Sequence, residues 1–414
     1  MLEYYLTNSE RNEKMNQNRL LILGNGFDLA CGLNSTYADF FAWRFKKILE
    51  ENNYAISDPE NNADIFSLTR ELYKNNTKNL EKFATNPNLT PWNFWDIIFL
   101  SQNASDSPLM ADSNWCDIES TIKKVVTSVL FNNGEKAYDE EHINDYLVSP
   151  VDQLIKNLRL SPNKDQLDIF LLSELNKFEK VFSTYIKQEK DNKDYQARVN
   201  EVLKELLTPP FLLEASHQKK AMKHKNSVLS FNYSLSNDDD FINDVSIDRW
   251  INIHGYVGSK GDMDASLPIF GIDSTDIDEN DPRIIFTKTF RVANGVVNYV
   301  QPLPKQVDSI SFYGHSLSQA DYSYFESLFD TYHIYSSDVS LYFYFGAFAN
   351  SDDLEEDKRN TSMNNELRRQ MATNVYNLLA HYGRSLKENH GNNLFHRLLL
   401  ENRIHIIAKK GDRR

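Results

Sequence analysis

Cysteine is almost missing from this chain of 414 residues: only Cys31 and Cys116 occur. Two thiols cannot build a disulfide framework or a four-cysteine zinc site, so the expectation is reduced thiols in a cytoplasmic protein. An excess of basic residues is missing too. Lys and Arg number 45 against 59 Asp and Glu, for a formal charge of -14, which argues against broad binding to nucleic acid. No apolar run reaches the roughly 18 to 20 residues that span a bilayer, so no membrane partner is expected. The densest short run, Leu341-Tyr-Phe-Tyr-Phe345, reads as a buried strand. The histidines form no HExxH pattern and no close pairing with acids at ligand spacing, so no metal is expected. A GxSxG elbow and a GxxxxGK[ST] phosphate loop are both lacking.

What is present fits a globular protein: 41% apolar and 25% charged residues. The length favours two lobes, or one sheet with a large insertion. Leu20–Leu23 reads as a buried parallel strand stopped by glycine. Strand signals return at Val228–Phe231, Ile251–Ile253, Ile269–Ile272, Ile310–Tyr313, Leu341–Phe345 and Ile404–Ile407. Short apolar runs separated by helix-length gaps predict an α/β fold with a Rossmann-like parallel sheet. A helix is expected over Ala38–Glu51, another over Ser318–Asp330 and another over Met363–Asn389, with Ser351–Thr361 as an acidic solvated loop. Between them, helical faces recur. Trp115, Ile118, Ile122, Val125, Val126, Val129 and Leu130 form one, Leu167, Leu171, Leu175, Phe178, Phe182 and Tyr185 a second, and Val199, Val202, Leu203 and Leu206 a third. The expected organisation is a flexible N-terminal extension at 1–18, a nucleotide-binding domain at 19–51 and 226–414, and an inserted helical domain at 52–225.

Polar clusters end several of these strands, and in an open parallel sheet such ends converge on one edge, where nucleotides bind. Gly24-Asn25-Gly26-Phe27-Asp28 suits a tight turn and close backbone approach, followed by a helix whose first N–H groups could bind an anion. Asp28 could equally cap that helix. Asn232 and His254 end two further strands. An Asn there commonly closes a loop, and a His commonly serves structure, yet His also has the proton affinity of a general base at cell pH. Gly314-His315-Ser316-Leu317 adds a fourth loop. Ser316 could bind a ribose or cap the next helix, and Asp321 could bind a ribose diol or sit as a favourable charge at a helix start. Asp117 and Glu119 have that same helix-start reading.

Leu21-Ile-Leu-Gly-Asn-Gly-Phe-Asp-Leu-Ala30, with Gly32-Leu33 and Ser35-Thr-Tyr-Ala-Asp-Phe40, resembles the opening signature of the AbiH family of bacterial phage abortive-infection proteins. Ser230-Phe-Asn-Tyr233, Ile253-His-Gly255 and Tyr313-Gly-His-Ser-Leu-Ser-Gln-Ala-Asp321 are similar to later blocks of that family. More distantly, these islands resemble the sirtuin-like fold, in which a GAGxS turn, a T-x-N-x-D strand end, an HG pair and a G-x-S-L loop surround NAD. The resemblance implies that Gly24, Asn25, Gly26, Phe27, Asp28, Tyr37, Gly314, Ser316 and Asp321 line the NAD site. It implies that Asn232 holds the ribose and a water, and that His254 is the base. Asn25, Asp28 and Ser234 depart from the sirtuin pattern, and the zinc cysteines of protein deacylases are missing. The implied activity is therefore antiphage NAD hydrolysis, with a non-catalytic nucleotide sensor as the alternative. The implied partners are NAD or a related dinucleotide and a phage-derived trigger, with homo-oligomer assembly left open.

Overall fold

The computed structural model describes residues 18–59, 61–75, 92–102, 118–127, 164–207, 225–236, 239–258, 267–274, 277–278, 280–295, 301–351, 353–386 and 391–413. The N-terminal extension read at 1–18, apart from Asn18, lies outside them, as do Trp115, Cys116, Asp117, Val129 and Leu130.

Six strands form one sheet among the described residues: β1 (Asn18–Leu23), β2 (Lys225–Ser230), β3 (Arg249–Asn252), β4 (Ser309–Tyr313), β5 (Ser340–Phe348) and β6 (Ile404–Arg413). Their order is β3-β2-β1-β4-β5-β6 and every pairing is parallel. This is the strand order of a Rossmann-like sheet, with β1 and β4 side by side where the order reverses.

Strand periodicity explains the two faces, because alternate side chains of a strand point to opposite sides. Leu20 and Ile22 of β1 join one core with Phe312, Phe325, Phe329, Leu378, Leu379 and Leu398. That face is covered by the helices Tyr322–Thr331, Leu354–Ser385 and Leu394–Leu400. Leu21 and Leu23 join the other core with Tyr195, Val199, Val202 and Leu203 from the helix Lys193–Leu207. The core strands are thus buried on both faces, which accounts for their nearly continuous apolar sequence.

The chain divides into two compact units. One comprises Met1–Leu33, Lys187–Ser266 and Asn298–Arg414; the other comprises Asn34–Ile186 and Leu267–Val297. The first holds the sheet. The second is helical among its described residues, with Tyr37–Glu51, Asn62–Asn75, Phe94–Gln102, Ile118–Val126 and most of Lys164–Lys190. Thr36 starts Tyr37–Glu51 with a capping box: its side chain accepts from the Asp39 amide, and the Asp39 carboxylate accepts from the Thr36 amide. Phe40, Phe41, Phe45, Trp95, Phe99 and Phe178 fill the centre of this unit. The faces read at Ile118–Val126 and Leu171–Tyr185 are buried here.

Two expectations are corrected. Ile269–Ile272 is not a strand: it makes a single isolated bridge, Ile272 to Thr287, within the helical unit. Its apolar side chains are buried against rings, Phe270 touching Phe178 and Phe182. A short buried run has the same composition whether or not a neighbouring strand exists to pair with it. Nor is Ser351–Thr361 a loop: a helix begins at Leu354 and runs to Ser385. Asp353 caps it by accepting from the amides of Glu355 and Glu356, both at 2.9 Å. The acidic residues there suit the positive end of a helix as well as they suit solvent.

Candidate functional site

Parallel pairing places the ends of β1, β2, β3 and β4 on one edge of the sheet. The turn after β1 and the loop after β4 touch through backbone. Gly24 N–H donates to the Tyr313 carbonyl at 3.0 Å and Gly26 N–H to the Gly314 carbonyl at 2.7 Å. A Cβ on Gly24 would lie 2.5 Å from His315 Cα, and one on Gly26 would lie 2.7 Å from Gly314 Cα. Gly314 has φ +70, and its Cβ would lie 2.2 Å from the Phe27 nitrogen. These glycines are therefore required because two strand ends meet. Phe27 N–H also donates to the Gly24 carbonyl at 2.9 Å. The anion cradle expected at the helix Gly26–Ala30 thus has its first two amides engaged by protein carbonyls.

Asn232 continues from β2 and is buried. Its Nδ2 donates to the Gly24 carbonyl at 3.0 Å, across 208 positions of sequence. Its amide donates to Ser230 Oγ at 3.1 Å. Ser234 Oγ donates to Asp28 Oδ2 at 2.6 Å, and Tyr195 Oη donates to Asp28 Oδ1 at 2.8 Å. Burial raises the Asp28 carboxyl to about 6 despite these two donors, which favour its ionised form. Burial likewise pushes the Tyr195 phenol well above its ordinary value, with the Asp28 charge adding to the effect. Asp28 does not cap the helix that follows; it ties β1 to the loop after β2 and to the helix Lys193–Leu207.

His254, just past β3, is 2% exposed. The chain leaves β2 and β3 in step, with Ile253 N–H on the Ser230 carbonyl at 3.1 Å and Val257 N–H on the Tyr233 carbonyl at 2.7 Å. Gly255 supplies the turn with φ +82. A buried ion pair then holds this region. Lys190 Nζ donates to Asp239 Oδ1 at 2.7 Å and to the Val257 carbonyl at 3.0 Å. The His254 ring packs edge to face on Phe231 at 5.5 Å and on Tyr324 at 5.1 Å.

After β4, His315 packs on the same Phe231 ring at 4.7 Å. Its Nδ1 accepts from the Leu317 amide at 2.9 Å, and its Nε2 lies 3.5 Å from Asp321 Oδ2. Asp321 is 8% exposed and precedes the helix Tyr322–Thr331 without making a side-chain cap bond. Ser316 is exposed and is not the helix cap, since Ser318 holds that place before the 3-10 turn Gln319–Asp321. Asn374 Nδ2 holds the Ser316 carbonyl at 3.1 Å.

The structure therefore brings together Gly24, Gly26, Asp28, Asn232, His254, Gly314 and Asp321 on the edge formed by β1 to β4. Asn25 is exposed at the start of the short helix, and Phe27 is core, its ring 6.1 Å from Tyr313. Tyr37 belongs to the helical unit, where its ring packs on Phe270 at 6.1 Å. Glu119 also lies there, 2.7 Å from Lys288 Nζ. Sequence reasoning passed over His315, Tyr195, Ser234 as a donor to Asp28, and the Lys190–Asp239 pair. His315 stood inside a motif already singled out, and Tyr195 lies one helical turn before Val199. The Lys190 pairing has no local signal. Among the described residues no group of three His, Cys, Asp or Glu side chains is arranged to hold a metal ion.

These elements define a Rossmann-like α/β protein with a polar strand-end site. The family model described as bacteriophage abortive infection AbiH matches residues 20–344, and the chain belongs to that family. No curated protein and no solved structure matches it. No helix among the described residues is long and apolar enough to cross a membrane.

Proposed function

We propose that this abortive-infection protein acts by hydrolysing NAD to nicotinamide and ADP-ribose at the β1–β4 edge. The reading rests on one observation: Asn232 bonds to Gly24 while Phe231, its neighbour, carries the rings of both His254 and His315. Polar groups from four strand ends share one small region, at the end of a Rossmann-like sheet where dinucleotides bind.

The reaction breaks the bond between the nicotinamide nitrogen and the ribose C1′. Water adds to C1′, nicotinamide leaves with the bonding electrons, and one proton is released. The transition state has oxocarbenium character, and because nicotinamide leaves as a neutral molecule no general acid is needed. Asn232 orients the ribose and the water, and His254 accepts the proton. A placed base contributes roughly two to four decades in rate. Asp321 takes the ribose diol.

The test is nicotinamide release by purified protein and by phage-infected cells, for wild type, His254→Ala and His254→Gln. Loss of release and of growth arrest in both variants, with unchanged melting temperature, supports the reading. Full growth arrest in His254→Ala rejects it. A nucleotide sensor without turnover is the second reading, and two observations favour it: the first helix amides are engaged, and the Ser234 hydroxyl is committed to Asp28. Calorimetry that finds saturable ADP-ribose binding without NAD turnover would select the sensor.

A further inference from the structure

We infer that His315 is a positioning residue that fixes the Asp321 carboxylate for a ribose diol, and that it does not itself exchange protons with the substrate. This rests on the NAD reading above. Three observations carry it. First, the Leu317 amide donates to Nδ1, so the proton of the neutral ring sits on Nε2. Second, Nε2 faces Asp321 Oδ2 at 3.5 Å. Both ring nitrogens therefore have protein neighbours, whereas a general base needs a nitrogen within hydrogen-bond reach of the substrate proton. Third, Asp321 is buried at a helix start yet makes no cap bond. Capping, the usual structural use of an Asp in that place, does not explain it.

The local backbone is shaped for this purpose. Leu317 has φ +55, an uncommon conformation for a residue with a branched side chain. That turn aims its N–H at Nδ1. Gly314, three residues earlier, has φ +70 and leaves no space for a Cβ. Phe231 and Phe325 close on the imidazole at 4.7 and 5.0 Å, so the ring cannot turn freely. The result is a chain of fixed groups from β4 through His315 to Asp321.

Two variants separate the two nitrogens. His315→Asn keeps an acceptor near Nδ1 and removes the Nε2 donor. His315→Gln keeps a donor near Nε2 and removes the Nδ1 acceptor. A misplaced carboxylate weakens the grip on ribose in the ground state and transition state alike, so KM rises while kcat holds. We expect His315→Asn and Asp321→Asn each to raise KM for NAD roughly tenfold, with kcat within about threefold of wild type. We expect the double variant to match either single one, because groups acting as a unit are non-additive. His315→Gln should recover part of the loss. ADP-ribose affinity by calorimetry should fall by the same factor in each case, which keeps the inference testable in a protein that binds without turnover. Multiplying effects in the double variant, or a fall in kcat at constant KM, overturns the inference and leaves NAD hydrolysis standing. A wild type that releases nicotinamide while both single variants keep wild-type KM does the same. A wild type that neither releases nicotinamide nor binds ADP-ribose overturns both. If His315→Asn fails to fold, the Asp321→Asn and His315→Gln pair decides by the same criteria.

Discussion

Asp28→Asn should change how stability depends on pH, and in a direction opposite to that of most acidic residues. In the folded chain the Asp28 carboxyl is raised to about 6 by burial, against an ordinary value near 3.9 for an exposed Asp. The folded state then binds more protons than the unfolded state between these two values. Stability therefore falls as pH rises from about 4 to about 6, and it stays lower above that range. About two decades in proton affinity correspond to roughly 3 kcal/mol, an upper bound for this one group. The Asn variant cannot ionise, yet it keeps the shape. Its oxygen accepts from one hydroxyl, and its NH2 donates to the other, because Ser234 and Tyr195 hydroxyls both donate and accept. Melting temperature and urea midpoint should be compared for wild type and Asp28→Asn at pH 5 and pH 7.5. Other titrating groups cancel in the difference. The variant should gain on wild type by about 1.4 kcal/mol over this interval, roughly half of the full effect because pH 5 already lies inside the titration range, or on the order of 4 °C for a unit of this size. Parallel curves for the two proteins would refute the reasoning, and so would a wild type that gains on the variant at higher pH.

Three further perturbations follow from the packing. Gly314→Ala places a Cβ 2.2 Å from the Phe27 nitrogen at a backbone φ of +70. It should cost more than about 2 kcal/mol in urea unfolding or abolish folding, and a near-wild-type midpoint would contradict the observed strand-end contact. Lys190→Met leaves Asp239 buried without its cation and removes a donor from the Val257 carbonyl. About 3 to 5 kcal/mol should be lost, with much of it restored in the Lys190→Met, Asp239→Leu double variant. Equal losses in single and double variants would show that the packing of the lysine stem matters more than its charge. Asp353→Ala removes two cap bonds from the helix Leu354–Ser385 and should cost about 1 kcal/mol, read as earlier loss of helical circular dichroism on heating.

Why some features were legible and others not comes down to the range of the forces involved. The sheet strands show in sequence because burial on both faces demands near-continuous apolar residues, and β1, with five of its six positions buried, is the extreme case. The same rule misled at Ile269–Ile272, since Phe270 is buried to the same degree among helix-borne rings. Capping is local, yet the Asp353 cap was obscured by the acidic residues after it. The strand-end edge was legible as a place, because parallel topology brings chain-distant ends together without regard to side chains. What each residue does there was not. Gly24, Gly26 and Gly314 look like openings for a ligand and instead admit one another, a fact fixed by two chain segments far apart in sequence, as with the Asn18–Asp308 hydrogen bond below them, which spans 290 positions. Asp28 looks like a cap and instead takes hydroxyls from Ser234 and Tyr195, 206 and 167 positions away. Pairings of that range leave no spacing signal. In the strand order, β2 and β3 lie on the opposite side of β1 from β4, away from the backbone contact between the turn after β1 and the loop after β4. Asn232 and His254 stand on that side, and the His254 variants test whether chemistry happens there.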